Sequence, residues 1–184
     1  FGTVDTWLVW QLSRGERHVV DVSNASRTML MDIHTGTWSG ELCAAWDIPM
    51  QMLPEIVPSS GELAHTATGL FARPIPIAAI MGDQQAALFG HACDQAGMAK
   101  NTYGIGCFML LNTGESVVQS QHHMLSTVAW QQVQHRTCYA LEVSVFMAGA
   151  IVQLFRDNLG LIAHSADIEP LAASVDSSAG VTLL

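Results

Sequence analysis

The spacing of apolar residues is most informative in the second half of the chain. Ile75–Met81 is an uninterrupted apolar run between Pro74 and Gly82, which predicts a buried strand. Four later segments have strand composition, and we expect consecutive antiparallel strands over residues 98–103, 107–112, 125–131 and 137–143. Gly104–Gly106 is the expected first hairpin turn. Helical spacing predicts helices over residues 83–93, 146–159 and 167–175.

The first half carries shorter and weaker patterns. Apolar residues at positions 4, 7, 8 and 12 have helical spacing, which predicts a helix over residues 2–13 with Thr3 as its cap. The remaining elements are expected as an apolar run over 19–22, a turn or helix over 23–26, strands over 28–33 and 62–67, and short helices over 39–46 and 48–53. Pro54 and Pro58 are expected to break the chain.

The order of these elements indicates an α/β chain. A strand and helix piece is followed by a new series of hairpin strands and then by helices. We therefore place a domain boundary near residues 91–97 and divide the chain into residues 1–91 and 92–184. A β-meander followed by helices also occurs in each half of the actin-like ATPase architecture. That comparison is an analogy of fold and carries no function by itself.

Composition excludes several classes of protein. Charged residues make up only 12% of the chain and apolar residues 49%, which excludes a disordered protein and leaves surface that we expect to meet further protein. The net charge of -9 excludes an electrostatic footprint for nucleic acid. No apolar run approaches the ~20 residues of a membrane span. The four cysteines lack zinc-site spacing, so we expect buried, reduced thiols, no metal site and a cytoplasmic location.

The first candidate for chemistry is Asp83, which follows the apolar run and opens the next helix. Ligands of α/β sheets bind beyond the carboxyl ends of strands, so Asp83 could accept a proton from a substrate hydroxyl. Phosphoryl transfer needs little more than such an orienting base and charge neutralisation. The alternative is that Asp83 only caps the helix by accepting backbone N–H bonds.

Two glycine-containing segments are weaker candidates. The turn Gly104-Ile105-Gly106 could let backbone N–H groups approach a phosphate, or it could be a plain hairpin turn. Gly149 and Gln153 lie four residues apart on one helix face, where the glycine allows close approach of a ligand or of another chain segment. Four further charged residues could form a charged site, but scattered surface charges explain them as well, and we assign them no role: Asp5, Asp21, Arg27 and Asp32.

Several segments resemble the FGGY carbohydrate kinases, and most closely the branch of that family that phosphorylates glycerol. The segments that carry this resemblance are Phe1–Leu8, Asn24–Leu30, Ile33–Thr35, Gly82–Gly90 and Gly97–Gly104. They are long, they occur in the family's order, and they run through most of the chain. The resemblance implies a partial ribonuclease H-like fold of the actin/hexokinase ATPase type, comprising the end of the first domain and the start of the second.

The resemblance also implies ATP-dependent phosphorylation of glycerol to glycerol 3-phosphate. It places Asp83 as the base for the terminal hydroxyl, Gln84 on the same substrate, and the ring of Phe108 against the glycerol carbons. Gly149 and Gln153 would lie at the nucleotide, with Ile105 near its phosphates. ATP and Mg²⁺ are the implied cofactors, glycerol and ATP are the implied partners, and the intact enzyme is expected to be a homo-oligomer.

The chain resembles only about the middle third of that family's length. It opens on Phe1, and residues 181–184 have the pattern of a strand start, so we expect both ends to be cut and a leader could precede Phe1. The implied fragment would lack the family's N-terminal phosphate-binding turn and its C-terminal adenosine pocket. We therefore expect the chain alone to have no kinase activity.

Two positions depart from the family pattern. Family members usually carry Thr where this chain has Ile105, so a hydroxyl that could bond a phosphate is absent. Residues 68–74 lack the Gly-rich, Arg-bearing loop that binds an allosteric sugar bisphosphate in some bacterial members, so that regulation is not expected. Three alternatives remain open: a non-catalytic relative that binds or regulates, an FGGY kinase for another polyol or sugar, and an actin-like ATPase.

Overall fold

The computed structural model describes residues 1–182, and its internal contacts divide the chain into two compact units. The first unit comprises residues 1–100 and 110–142. The second comprises residues 101–109 and the residues from 143 onward. The division into residues 1–91 and 92–184 stays a prediction. The expected strand start at 181–184 lies partly outside the described residues, because the description ends at residue 182.

The helices are short and the strands are spread over four small sheets. The α-helices are α1 Val4–Leu12, α2 Val22–Ala25, α3 Gly40–Ala45, α4 Asp83–Gly90, α5 Gly149–Gln153 and α6 Ile168–Ala173. The strands are β1 Val19–Asp21, β2 Met31–Asp32, β3 Thr37–Trp38, β4 Glu55–Val57, β5 Ser60–His65, β6 Pro76–Ala79, β7 Ala99–Tyr103, β8 Cys107–Gly114, β9 Leu125–Trp130 and β10 Cys138–Val145.

Strand pairing differs in one respect from the predicted meander. β7, β8, β9 and β10 form the four-stranded sheet that the sequence predicts, but their order is β7-β8-β10-β9, so β10 lies between β8 and β9. β9 and β10 pair in antiparallel fashion. The other sheets are two-stranded: β1 pairs with β4 in parallel, while β2 with β3 and β5 with β6 are antiparallel.

The parallel pair β1-β4 lies in the core of the first unit. All three residues of β1 are buried, and Val19 packs with Val57 of β4 in one apolar cluster. β4 was not predicted, because the two prolines that flank it, Pro54 and Pro58, indicated a break. A three-residue strand fits between them, since proline at either end of a strand removes only a terminal hydrogen-bond donor.

The first helix forms where predicted, but it buries a different face. Thr6 and Val9 are its buried residues, while Val4, Trp7 and Leu8 are between 47% and 76% exposed. Val9 joins the cluster that contains Val19, so contact with β1 decides the orientation of the helix. Thr3 occupies the cap position without a capping bond; its hydroxyl lies 3.3 Å from that of Thr6 instead.

The apolar run at 75–81 also forms a strand, β6, but a mostly exposed one. β6 has a single neighbour, β5, and only Ile77 packs against the core cluster from within the strand. Ile80, directly after the strand, is 8% exposed and belongs to that cluster. The prediction of a buried strand was therefore wrong, because an apolar run predicts burial only when elements cover both faces.

Several other predictions changed in extent. The helix predicted over 146–159 is five residues of α5 followed by a π-helical turn over Leu154–Asn158, and none of these residues is buried. The strand at 28–33 shortens to β2, and the helix at 48–53 is a 3₁₀ turn over Met50–Met52. Cys43 and Cys93 are buried as expected, whereas Cys107 and Cys138 are half-buried; all four are free thiols.

A buried carboxylate on α1 makes stability depend on pH. Both side-chain oxygens of Asp5 are buried without a hydrogen-bond partner among the described residues. Burial, together with the nearby charge of Asp21, raises the pKa of Asp5 above 3.8. The folded chain therefore holds this proton more tightly than the unfolded chain, and stability falls as pH rises from 3.8 through the folded pKa.

We expect Asp5→Asn to stabilise the fold at pH 7, because the amide removes the cost of keeping an ionised carboxylate in a partly buried position. The gain should vanish below pH 3.8, where the wild-type carboxyl is protonated in both states. Urea unfolding of both proteins at the two pH values measures the difference. Asp94→Asn, at an exposed carboxylate, is the control. An Asp5→Asn protein no more stable than wild type at pH 7 would refute the assignment.

Candidate active site

Asp83 is the first residue of α4, and its carboxylate is exposed. The cap position itself is taken by Gly82. Oδ1 of Asp83 accepts the backbone N–H of Gln84 at 2.8 Å, and Oδ2 accepts the side-chain amide of Gln84 at 3.3 Å. One oxygen thus makes a local backbone bond, as the capping alternative expects. Because each carboxylate oxygen has two acceptor sites, both oxygens keep capacity for a further donor.

The turn before Asp83 is anchored to a buried hydrogen-bond network. The backbone N–H of Gly82 donates to the hydroxyl of Ser23 at 2.9 Å, and that hydroxyl donates to Oδ1 of Asp21 at 3.0 Å. A Cβ on Gly82 would lie 2.6 Å from Oε1 of Gln85, so a side chain at position 82 would require the buried Gln85 side chain to move. Two hydrogen bonds therefore link Gly82, the residue before Asp83, to Asp21, which lies 62 positions before Asp83 in the chain.

Asp21 lies at the carboxyl end of β1 and is fully buried. Its carboxylate accepts the backbone N–H groups of Ser23 and Asn24, the side-chain amide of Asn24 at 2.7 Å and the hydroxyl of Ser59 at 2.7 Å. The expectation that Asp21 is a surface charge was wrong. A sequence signal existed, since an Asp at the end of an apolar run and just before a predicted turn or helix is typical of a helix cap.

A second charged group lies beside Asp83. Lys100 on β7 is 6% exposed, and its ammonium donates to Oε1 of Gln84. Glu142 on β10 is 5% exposed and accepts the guanidinium of Arg27 at 3.2 Å. Burial lowers the pKa of Lys100 below 10.5, while the carboxylates of Glu142 and Asp83 oppose that shift. Sequence reasoning assigned no role to Lys100 or Glu142, and it placed Arg27 among scattered surface charges.

In the second unit, the turn Gly104–Gly106 holds the start of α5. The carbonyl of Gly104 accepts the N–H of Gly149 at 3.0 Å, and the carbonyl of Ile105 accepts the N–H groups of Ala148 and Ala150. A Cβ on Gly149 would lie 2.5 Å from the carbonyl oxygen of Gly104. Of the two alternatives for Gly149, close approach of another chain segment is therefore present in the structure.

The remaining predicted residues also lie in the second unit. The side chain of Ile105 is 74% exposed at the tip of the turn, Gln153 is exposed on α5, and Phe108 is half-buried on β8. Gly106 is buried. A Cβ at this position would lie within 3.0 Å of the carbonyl oxygens of Val145 and Phe146, so a larger residue would collide with the backbone. Hydrogen bonds of the turn hold Ile105 near Gly149, although the two residues are 44 positions apart in the sequence. Asp83 and Gln84, which are adjacent in sequence, are joined by hydrogen bonds in the first unit.

The cleft next to α4 does not include Asp83, and the described residues contain no cluster of side chains that could bind a metal ion. Ala86, Phe89, Gly90 and Trp130 help to line a cleft of about 360 Å³ next to α4, and Asp83 is not part of its lining. Within residues 1–182, no three His, Cys, Asp or Glu side chains are grouped so that they could hold a metal ion. No helix in the same range is long and apolar enough to cross a membrane.

Comparison with known proteins gives a consistent result over the whole chain. The sequence profile of the FGGY family of carbohydrate kinases, N-terminal domain, matches residues 1–90. The glycerol kinases of Acinetobacter baylyi and Dechloromonas aromatica are each 56% identical to this chain over all 184 residues. Residues 1–90 therefore belong to the N-terminal domain of the FGGY family of carbohydrate kinases, and the whole chain is similar to glycerol kinases. The chain spans 37% and 36% of the length of these two relatives.

Solved structures of FGGY proteins share the fold. The structure of Plasmodium falciparum glycerol kinase with ADP matches at a TM-score of 0.87 and 36% identity, covering 96% of this chain and 35% of that protein. A ligand-bound xylulose kinase from Lactobacillus acidophilus matches at a TM-score of 0.74 and 18% identity, covering 93% of this chain and 34% of that protein. The predicted fold class, a partial actin/hexokinase-type α/β fold, is confirmed.

Proposed function

We propose that this FGGY chain carries the acceptor side of an enzyme that transfers the γ-phosphoryl group of ATP to glycerol. The observation that carries the proposal is the contrast in identity. Curated glycerol kinases are 54–56% identical over the whole chain, whereas the xylulose and gluconate kinases of similar fold are 16–18% identical. A chain that acted on another sugar is not expected to retain such similarity to glycerol kinases.

In the proposed reaction, the carboxylate of Asp83 accepts the proton of a terminal glycerol hydroxyl. The resulting oxygen attacks the γ-phosphorus in line, the bond to the β-phosphate oxygen breaks, and ADP leaves with its electron pair. Asp83 then releases the proton to water. The exposure of the carboxylate and its unused acceptor sites support this role. Gln84, which bonds Asp83, would bind a second hydroxyl of glycerol.

The second unit supplies the other residues of the proposal. One of them, Phe108, would pack against the glycerol carbons. The other three would lie at ATP: Ile105, Gly149 and Gln153. The tight packing of Gly149 on Gly104 supports a fixed backbone there. Mg²⁺ would enter with the nucleotide and neutralise its phosphates. The described residues contain no acidic cluster that fits the ion, so no residue of this chain is assigned to it. A homo-oligomer in the cytoplasm stays a prediction.

A chimera tests the proposal. This chain would replace the matching 184 residues of the Acinetobacter baylyi glycerol kinase, and ADP release would be measured with glycerol, with xylulose, with gluconate and without an acceptor. We expect release that depends on glycerol, with glycerol 3-phosphate identified by mass spectrometry. The 184-residue chain, assayed in parallel, is expected to be inactive. Turnover with xylulose or gluconate alone would instead support a kinase for another polyol or sugar.

The side chain at position 105 discriminates between a kinase and a non-catalytic relative. Ile105→Thr supplies a hydroxyl that can donate to a phosphate oxygen, and a hydrogen bond to a charged group contributes about 1.5–3 kcal/mol. We therefore expect kcat/KM for ATP in the chimera to rise roughly 10- to 100-fold. Val118→Thr, at another exposed β-branched residue, should change nothing. A chimera that binds glycerol but stays inactive with either residue at 105 would support the non-catalytic alternative.

A further inference from the structure

Lys100 is the only lysine of the chain; the other six basic residues are arginines. It is also one of the few buried charged residues, at 6% exposure. Lysine is almost never fully buried without a partner, because removing an ammonium from water costs several kcal/mol. The contacts that offset this cost lead to the proposed acceptor site.

The Lys100 ammonium fixes the orientation of the Gln84 side chain. An ammonium group has only donors, so the atom of Gln84 that faces it must be the amide oxygen, Oε1. The amide nitrogen, Nε2, is thereby directed to the carboxylate of Asp83, to which it donates at 3.3 Å. Without Lys100, Oε1 of Gln84 would lose this donor, and the amide would be held less firmly against Asp83.

The charges around Lys100 alternate in sign. Glu142 and Asp83 are the carboxylates that act on Lys100, and Arg27 bonds Glu142 at 3.2 Å. Two cations and two anions therefore meet in the first unit, and their charges sum to zero. The negative charges of Glu142 and Asp83 both favour the charged form of Lys100, which burial disfavours. The carboxylate of Asp83 is itself exposed.

We propose that Lys100 is a positioning residue of the acceptor site: it holds Gln84 so that its amide nitrogen faces Asp83 and both side chains are preset for glycerol. This inference rests on the proposed function and deepens it. In this proposal Lys100 acts through Gln84, whose Oε1 accepts a hydrogen bond from the ammonium. Its removal should therefore affect glycerol more than ATP, and the effect should disappear when Gln84 is already absent.

Kinetics of the chimera test this coupling. Lys100→Met keeps most of the side-chain volume without the charge, and we expect kcat/KM for glycerol to fall about 10- to 100-fold, as for loss of a hydrogen bond to a charged group. KM for ATP should stay within about twofold, since a uniform defect would change both substrates. Lys100→Arg, which keeps the charge and its donors, should recover part of the loss. Arg136→Met removes an exposed cation of the same unit and is the control.

A double-mutant cycle separates positioning from a general loss of packing. If Lys100 acts through Gln84, Lys100→Met should cost nothing further in a Gln84→Leu background. Additive losses, or an equal rise in KM for ATP, would overturn the proposal. If Asp83→Asn leaves turnover unchanged, the proposed function fails. If Asp83→Asn abolishes turnover while Lys100→Met has no effect, only the present inference fails.

The contact can also be tested in the 184-residue chain without any activity. Biosynthetic labelling with ¹³C,¹⁵N-lysine gives a single Nζ signal in the NMR spectrum, because the chain has one lysine. Gln84→Leu should shift that signal, and Arg136→Met should not. Glu142→Gln should lower the pKa of Lys100 further, since the Glu142 charge opposes the effect of burial. A lysine signal that ignores both Gln84→Leu and Glu142→Gln would overturn the arrangement.

Discussion

Asp83→Asn should lower kcat of the chimera with glycerol by about 10²- to 10⁴-fold, the usual contribution of a general base. The substitution keeps the size of the side chain and one acceptor oxygen but removes the capacity to take a proton at neutral pH. KM for ATP should change little, because the residue is assigned to the acceptor. Steady-state ADP release at saturating ATP and varied glycerol measures the loss.

The same variant distinguishes the base from a simple helix cap. A carboxylate in the first turn of a helix typically contributes 0.3 to about 1 kcal/mol through the helix dipole, so Asp83→Asn should reduce stability by no more than that. Glu41→Gln, which removes an exposed carboxylate from the first turn of α3, is the matched control and should leave turnover intact. Near-normal turnover by Asp83→Asn, with a comparable loss of stability, would leave Asp83 as a cap only.

Local patterns were sufficient for some of the fold. The four strands β7 to β10 and the start of α4 at Asp83 were predicted within two residues, because each has a contiguous local signal in the sequence. The family was identified in the same way, from ordered segments such as Gly82–Gly90. Sequence reasoning therefore located Asp83 and Gln84, the adjacent pair that the structure joins by hydrogen bonds.

Predictions of burial failed where they depended on neighbours distant in sequence. Helical spacing on α1 identified an apolar face, yet contact with β1 buries Thr6 and Val9 instead. The apolar run of β6 has only β5 beside it. The order β7-β8-β10-β9 likewise depends on long-range pairing, which no local pattern contains.

The charged residues behind the site were missed for a related reason. Asp21, Lys100 and Glu142 are individually unremarkable in sequence, and their partners lie between 2 and 115 positions away along the chain. A charged residue reads as a surface residue unless its partner is known. A buried charge needs a partner to offset the cost of removing it from water, and that partner cannot be identified from the local sequence. Hydrogen bonds join Asp21, through Ser23, to Gly82 and join Lys100 to Gln84.

Asp21→Ala should lower the free energy of unfolding of the first unit by about 3–5 kcal/mol. The carboxylate accepts two backbone N–H groups, the amide of Asn24 and the hydroxyls of Ser23 and Ser59. Its removal deprives α2 of its cap, which costs about 0.5–2 kcal/mol. It also leaves buried donors without an acceptor, at about 1–3 kcal/mol each for those that cannot reach water or rotate to a new partner.

Urea unfolding at pH 7 measures this loss, with Asp32→Ala as the control because the Asp32 carboxylate accepts the backbone N–H of His34 in an exposed turn. Asp21→Asn keeps one acceptor oxygen and should lie between wild type and Asp21→Ala. Because Ser23 links Asp21 to the N–H of Gly82, the damage should extend to the start of α4. Faster amide exchange at Gly82 and Gln84 in Asp21→Asn, under conditions where the protein stays folded, would establish that link; unchanged exchange there would show that Asp83 is held independently of Asp21.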